Sequence, residues 1–260
     1  MMERLTGWFE EREGAIIAFS GGVDSCAVAS AAKTALGDKA IAVTSKSQTF
    51  PPAELAHAKR LAGEIGITHI IIEENELSNP HFVKNSEDRC YHCRKGLVEG
   101  LKAISDKYNI SCIVDGANAD DMGEHRPGMK AMKEAGVKSP LLELGITKAE
   151  VRKIAKGFGL SAHERPAMAC LASRIPYGER ITKESLQRIE KAETFLRELG
   201  ATQMRVRHHD STARIEVLQE EMSTIIENRA QVVEVLKGLG FAYVTLDVQG
   251  YRSGSMDEVL

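Results

Sequence analysis

Short apolar runs alternate with stretches of helical periodicity through the first two-thirds of the chain. Residues 15–19 (AIIAF), 40–44 (AIAVT), 69–72 (HIII) and 112–114 (CIV) are rich in Ile and Val and lack polar alternation. Strands buried on both faces of a parallel sheet have this pattern. Helical patterns cover 25–36, 53–65 after the Pro51-Pro52 pair, and 96–108. A further helix is predicted over 148–158, with Thr147 and Glu150 as a capping box and Gly159 as its stop. The repetition predicts an α/β fold: an open, mostly parallel sheet flanked by helices, binding ligands beyond the carboxyl ends of its strands.

The style changes after Pro176-Tyr177-Gly178. Thr182 caps a helix predicted over 183–199, and 203–208 and 213–218 alternate cleanly around a polar turn, as a hairpin does. Residues 220–239 read as helix and 241–248 as a strand. The predicted organisation is a domain over 1–178 and a small C-terminal α+β domain over 179–260.

Composition narrows the function. With 260 residues, 43% hydrophobic and 27% charged, the chain excludes wholesale disorder. Its 34 Lys and Arg against 37 Asp and Glu give a formal charge of −3, which offers a nucleic-acid partner no support. No apolar run approaches a membrane span, and residues 1–14 lack the apolar core of a signal peptide, so a cytoplasmic protein is expected. Five cysteines, at 26, 90, 93, 112 and 170, read there as metal ligands, reactive thiols or core residues rather than disulfide partners.

The first run is followed directly by Ser20-Gly21-Gly22-Val23-Asp24-Ser25, which opens the first helix. Two glycines let the backbone approach a ligand, the helix N-terminus offers free N–H groups, and two serines add hydroxyl donors. This is a phosphate cradle without the Gly-Lys-Ser/Thr ending of a Walker loop. It resembles the SGGxDS loop of the PP-loop ATP pyrophosphatase superfamily, which cleaves ATP between its α- and β-phosphates. That resemblance makes ATP a cofactor and Asp24 a candidate Mg²⁺ contact, since a hard cation bridging phosphates takes oxygen ligands. Asp115-Gly116-Ala117-Asn118-Ala119-Asp120-Asp121 resembles the superfamily's second acidic loop.

Cys90-Tyr91-His92-Cys93 is a C-x-x-C flanked by Arg89, Arg94 and Lys95, and cationic neighbours favour thiolate. On its own it fits half a zinc site, a redox pair, a cluster ligand pair or a solvent-side thiol pair. Cys170 lies in a polar loop, Pro166-Ala167-Met168-Ala169-Cys170-Leu171-Ala172-Ser173-Arg174. Three thiolates would leave one iron of a [4Fe–4S] cluster open. Cys26 and Cys112 read as core, His92 as a supporting or solvent residue, and His208-His209 has no metal-site spacing. In the predicted hairpin, alternation puts Arg205, Arg207 and Arg214 on one exposed surface, which suits a substrate phosphate or is simply a solvated face.

Taken together, the PP-loop, the RCYHCR segment, PAMACLASRIPYGERIT and the tail Gly250-Tyr251-Arg252-Ser253-Gly254-Ser255-Met256 resemble the LarE family of ATP-dependent sulfur transferases. The resemblance implies adenylation of a carboxylate of pyridinium-3,5-biscarboxylic acid mononucleotide and its conversion to a thiocarboxylate for the nickel-pincer cofactor of lactate racemase. One branch sacrifices a single cysteine sulfur, leaving dehydroalanine. Another holds a [4Fe–4S] cluster on three cysteines, with an extra sulfide from a sulfide donor. Cys90, Cys93 and Cys170 match the second branch, which makes Cys170 a ligand. The resemblance further implies phosphate binding by Arg205 and Arg207 and Glu193 as a site carboxylate or metal ligand. Ser173 and Arg174, beside Cys170, suit holding the substrate near the sulfur, and Tyr91 and His92 suit shaping the pocket around the nucleotide instead. It also implies a homo-oligomer, hexameric in some members. The alternatives from the residues are a tRNA thiolation enzyme, an amide-forming synthetase, or a non-catalytic ATP- or redox-sensing regulator.

Overall fold

The computed structural model describes residues 1–122, 127–164 (Glu164 without its side chain), 169–252 and 254–256. Pro166, Ala167, Met168 and Ser253 of the quoted motifs lie outside the described residues. The chain divides into two units, Met1–Glu76 with Glu87–Met168, and Leu77–Ser86 with Ala169–Leu260.

The first unit holds β1 (Ala15–Ala18), β2 (Ala40–Lys46), β3 (Thr68–Glu73) and β4 (Ile113–Val114). They form a parallel sheet in the order β3-β2-β1-β4. Its helices are α1 (Met2–Glu10), α2 (Val23–Leu36), α3 (Pro52–Ile65), α5 (Arg89–Tyr108), α6 (Pro127–Glu134), α7 (Pro140–Glu143) and α8 (Lys148–Gly157), and α4 (Pro80–Val83) belongs to the second unit. Alternate strand residues face opposite layers. Ile17 and Ala42 pack with Leu5, Phe9 and the alanine-rich α2, while Ile16, Ile41 and Val43 pack with Leu97 and Leu101 of α5. Both faces of β1 and β2 are therefore buried, each buried Ile or Val contributing about 1.5–3 kcal/mol. β3, at the sheet edge, is only half-buried rather than buried on both faces as its apolar run suggested. Chain order reverses between β1 and β4, so the loops leaving their carboxyl ends meet at a switch point.

Helix α5 begins seven residues before the expected position and takes the cysteine pair into its first turn. Its glycines are packing positions rather than breaks: a Cβ on Gly96 or Gly100 would collide with Glu74 or Ile72.

In the second unit, α9 (Lys183–Glu198) starts from the Thr182 cap, and β5 (Met204–His209) and β6 (Thr212–Val217) form the antiparallel hairpin. β7 (Tyr243–Leu246) pairs parallel with β6. Ala192, Leu196, Val206, Ile215 and Leu236 share its core. The helix expected over 220–239 is two, α10 (Met222–Glu227) and α11 (Arg229–Gly238). Asn228 parts them, its side-chain amide donating to the Thr224 carbonyl at 2.8 Å in competition with the helical ladder. Buried Asn85 ties the 77–86 segment to this unit by donating to the Pro176 and Glu179 carbonyls at 2.7 and 2.9 Å.

Candidate active site

The 20–25 loop turns directly out of β1 into α2. Gly21 takes φ +75°, and a Cβ there would come within 3.0 Å of the Ala58 Cα. Gly22 is the N-cap of α2 with no side-chain cap bond, so the helix presents its first amides and positive dipole end outward. The serines brace the turn: Ser25 Oγ donates to the Gly22 carbonyl at 3.0 Å, and Gly22 N donates to Ser20 Oγ at 3.3 Å. A phosphate fits such a cradle.

The loop after β4 lies against it, since a Cβ on Gly116 would sit 2.9 Å from the Ser25 amide nitrogen. Asp115 accepts from Ser139 Oγ at 2.7 Å and from the Ala117 amide at 3.1 Å, and burial pushes its carboxyl above the ordinary range. Asn118 donates from Nδ2 to Asp24 Oδ1 at 3.3 Å. The other Asp24 oxygen is paired with Lys148 Nζ. Lys148 opens α8, where the predicted Thr147–Glu150 capping box is present and the Lys148 amide donates to Asp120 Oδ2 at 2.9 Å. Sequence reasoning missed Lys148: 124 residues separate it from Asp24 and no local pattern joins them.

Cys90 and Cys93, three residues apart on α5, share a helix face. Cys90 is exposed, and half-buried Cys93 donates from Sγ to Glu76 Oε1 at 3.0 Å. Glu76 is buried and its other oxygen accepts from Thr49 Oγ1 at 2.5 Å, so it is a second residue the motif search passed over. Cys26 is core in α2, and burial raises the thiol of half-buried Cys112. His92 pairs with Asp88 at 3.1 Å.

In the second unit, exposed Cys170 precedes a short 3₁₀ turn, Leu171–Arg174. Its carbonyl accepts from Ser173 N at 3.0 Å, Ser173 Oγ at 2.7 Å and Arg174 Nη1 at 2.9 Å. Ser173 and Arg174 thus fix the backbone from which the thiol projects. Arg174 is fully buried and forms a two-point pair with Glu193 at 2.8 and 3.0 Å, while Glu193 Oε1 also accepts from the Val206 amide at 3.1 Å.

The arginine face of the hairpin is not the exposed surface expected from alternation. Arg205 and Arg207 are each 4% exposed, because the 171–174 turn and the chain's tail contribute groups that cover them. Arg207 donates to the Ser173 carbonyl at 2.9 Å, Glu216 Oε2 at 2.8 Å and Ser255 Oγ at 2.8 Å. Arg205 lies over the Tyr251 ring at 5.0 Å. Burial, and next the charge of Arg174, push Arg205 below its ordinary range. Arg214 is a third exposed and reaches Glu216 Oε1 at 3.0 Å. Among the described residues, buried Arg207 Nε has no hydrogen-bond partner, which leaves a donor without an acceptor there.

Comparison with known proteins places this geometry. Residues 15–93 match the asparagine synthase family model. The chain is 43% identical over its whole length to the uncharacterized protein slr1717 of Synechocystis, covering 97% of that protein. It is 35% identical over 98% of its length to the pyridinium-3,5-bisthiocarboxylic acid mononucleotide synthase of Lactiplantibacillus plantarum, covering 93% of it. The chain belongs to the LarE family of PP-loop, ATP-dependent sulfurtransferases. It is an enzyme.

A tRNA-specific 2-thiouridylase, MnmA of Rickettsia peacockii, is 26% identical over 58% of the chain and 51% of its own length, a partial likeness. Within the LarE frame, the Ser20, Gly21, Gly22, Asp24 and Ser25 cradle comes together in one unit with its acidic loop. Cys90 and Cys93 belong to that unit and Cys170 to the other. Among the described residues, no three His, Cys, Asp or Glu side chains are gathered as a metal site, and no helix is long and apolar enough to cross a membrane.

Proposed function

We propose that this LarE-family enzyme adenylates a carboxylate of pyridinium-3,5-biscarboxylic acid mononucleotide and converts it to a thiocarboxylate in nickel-pincer nucleotide synthesis. The observation that carries the reading is the uncapped start of α2 behind Gly21 and Gly22, in a chain that matches a bisthiocarboxylic acid mononucleotide synthase almost end to end. A substrate carboxylate oxygen attacks the α-phosphorus, and the bond to the β-phosphate oxygen breaks. Pyrophosphate leaves with the electron pair, and the acyl adenylate then loses AMP to a sulfur nucleophile. The amides at the head of α2 and the hydroxyls of Ser20 and Ser25 hold the phosphates, and Asp24 is the candidate Mg²⁺ contact.

Arg205 and Arg207 bind the mononucleotide phosphate. The unpartnered Arg207 Nε supports this, since a phosphate oxygen is the acceptor it lacks. Ser173 and Arg174 hold the Cys170 loop in place for the sulfur step. The thiols of Cys90, Cys93 and Cys170 are the donors a [4Fe–4S] cluster takes; Cys90 and Cys170 are exposed and Cys93 is half-buried. When bound, such a cluster would supply the sulfide, replenished by a sulfide donor. The setting is a cytoplasmic homo-oligomer.

Incubating the anaerobically purified protein with ATP, Mg²⁺ and the mononucleotide should release AMP and pyrophosphate in step with thiocarboxylate. ADP as the product overturns the reading. Iron and sulfide analysis of the wild type and Cys170→Ala tests the cluster, which is lost from the variant if Cys170 is a ligand. An iron-free wild type that loses one sulfur per turnover assigns Cys170 as the donor instead.

A further inference from the structure

An open cleft of about 440 Å³ in the second unit is lined by none of the residues that the adenylation reading uses. The first turn of α9 forms one wall through Thr182, Glu184 and Ser185, which brings the positive end of the helix dipole there. Arg188, one turn further along α9, lines the cleft together with His208 of β5, and Arg180 comes from the segment leading into α9. Alternation along β5 puts His208 on the core face with Met204 and Val206, opposite Arg205 and Arg207. A phosphate held by those two arginines is therefore across the strand from this ring.

The groups around the cleft lack partners of a particular kind. His208 is buried, and neither ring nitrogen has a hydrogen-bond partner in another of the described residues. Buried polar groups are nearly always paired, so the ring marks a place where a partner is missing. Three carboxylates share the cleft, those of Glu179, Glu184 and Asp210, yet among the described residues neither Arg180 nor Arg188 is ion-paired with one. Glu179 is engaged at the hairpin turn, where it accepts from the Asp210 amide at 3.4 Å, and Glu184 and Asp210 are exposed. Arg188 is seated firmly: a Cβ on Gly240, a residue with φ +100°, would lie 3.2 Å from its Cζ and Nη2. The next residue, Phe241, packs edge-on against His208 at 5.4 Å, so one short segment braces both the guanidinium and the imidazole. At the ring the charge of Arg188 outweighs that of Asp210, which is the sign an anion needs.

We propose that this cleft is a binding site for a phosphoryl group, with Arg188 and Arg180 as its cationic partners and His208 as a donor at its inner wall. Two guanidiniums match a dianion better than a single carboxylate, and the imidazole adds one N–H. The binding is non-covalent, and no bond in the ligand changes. The site stands independently of the adenylation reading, since no residue of the 20–25 cradle enters it.

Titration of the intact protein with inorganic phosphate and, separately, with AMP, followed through the histidine ring signals in heteronuclear NMR, tests this. The His208 signal is identified by its loss in His208→Phe. At least one of the two ligands should shift it saturably below about 10 mM, and Arg188→Met should weaken that binding about tenfold. AMP binding about tenfold tighter than phosphate marks a nucleotide as the ligand. Phosphate binding as tightly as AMP, or more tightly, marks the phosphoryl group alone. The proposal is overturned if neither ligand gives a saturable shift, if acetate shifts the signal as strongly as phosphate and AMP do, or if Arg188→Met keeps the wild-type affinity. Should Arg188→Met not fold, Arg188→Gln passes through the same titrations with the same criteria.

Discussion

Arg174 and Glu193 meet through two parallel hydrogen bonds, 2.8 Å from Nε to Oε1 and 3.0 Å from Nη2 to Oε2, with side chains 0% and 4% exposed. The pair connects α9 to the turn that bears Cys170, because the remaining Arg174 nitrogen, Nη1, donates to the carbonyls of Ala169 and Cys170. Removing one partner strands a buried charge. Glu193→Ala should therefore destabilise the protein by about 3–5 kcal/mol, read by urea unfolding, whereas Arg174→Met with Glu193→Leu should recover much of that loss. A Glu193→Ala protein as stable as the wild type would show that the pair contributes nothing.

Gly21 offers a sharper test of the cradle. A side chain there meets both a left-handed φ and the Ala58 backbone 3.0 Å away. Gly21→Ala should cost about 1–3 kcal/mol of stability and weaken ATP binding more than tenfold, measured by thermal melting and nucleotide titration. Gly37 has φ +58° but nothing within 4 Å of its would-be Cβ, so Gly37→Ala is the control for the backbone cost alone.

The contrast between what periodicity revealed and what it missed has a physical origin. Strands β1 and β2 were legible because both their faces are buried, which leaves no polar position in Ile16-Ile17 or Ile41-Ala42-Val43. The caps at Thr147 and Thr182 were legible because capping boxes are local. The hairpin's alternation was also local, but what covers its arginine face was not: Ser173 and Ser255 lie 34 and 48 residues from Arg207. The helix expected from Gly96 starts at Arg89 instead, and Glu74 and Ile72 fill the space that a Cβ at Gly96 or Gly100 would need. Lys148 and Glu76 escaped for the same reason as Ser255, since each acquires its role from a partner distant in sequence.

The cysteines should separate by accessibility. Cys90 and Cys170 are exposed, Cys93 is half-buried with its thiol donating to Glu76, and Cys26 is core. Brief alkylation of metal-free protein, followed by peptide mass spectrometry, should label Cys90 and Cys170 first, Cys93 more slowly and Cys26 only on unfolding. Glu76→Ala should bring Cys93 toward the rate of Cys90, as its anchor is gone. If Cys93 is labelled as fast as Cys90 in the wild type, the Glu76 contact does not hold the thiol in solution.

His208 should make stability depend on pH. The ring is 9% exposed, neither nitrogen has a hydrogen-bond partner in another of the described residues, and it packs edge-on against Phe241 at 5.4 Å. Burial lowers its pKa, a bond to its own backbone opposes that, the charge of Arg188 lowers it further, and Asp210 raises it. Folded protein therefore binds this proton less readily than unfolded protein. The neutral ring's contribution is complete above the unfolded value of 6.5 and is lost as pH falls from there through the lower folded value. Melting temperature should drop between about pH 7 and pH 5, and His208→Phe, which keeps the aromatic packing without a proton site, should flatten that drop. His209, lowered for the same first cause, leaves a residual slope in the variant. An identical pH profile in wild type and His208→Phe would show that the buried imidazole is not what the acid limb reports.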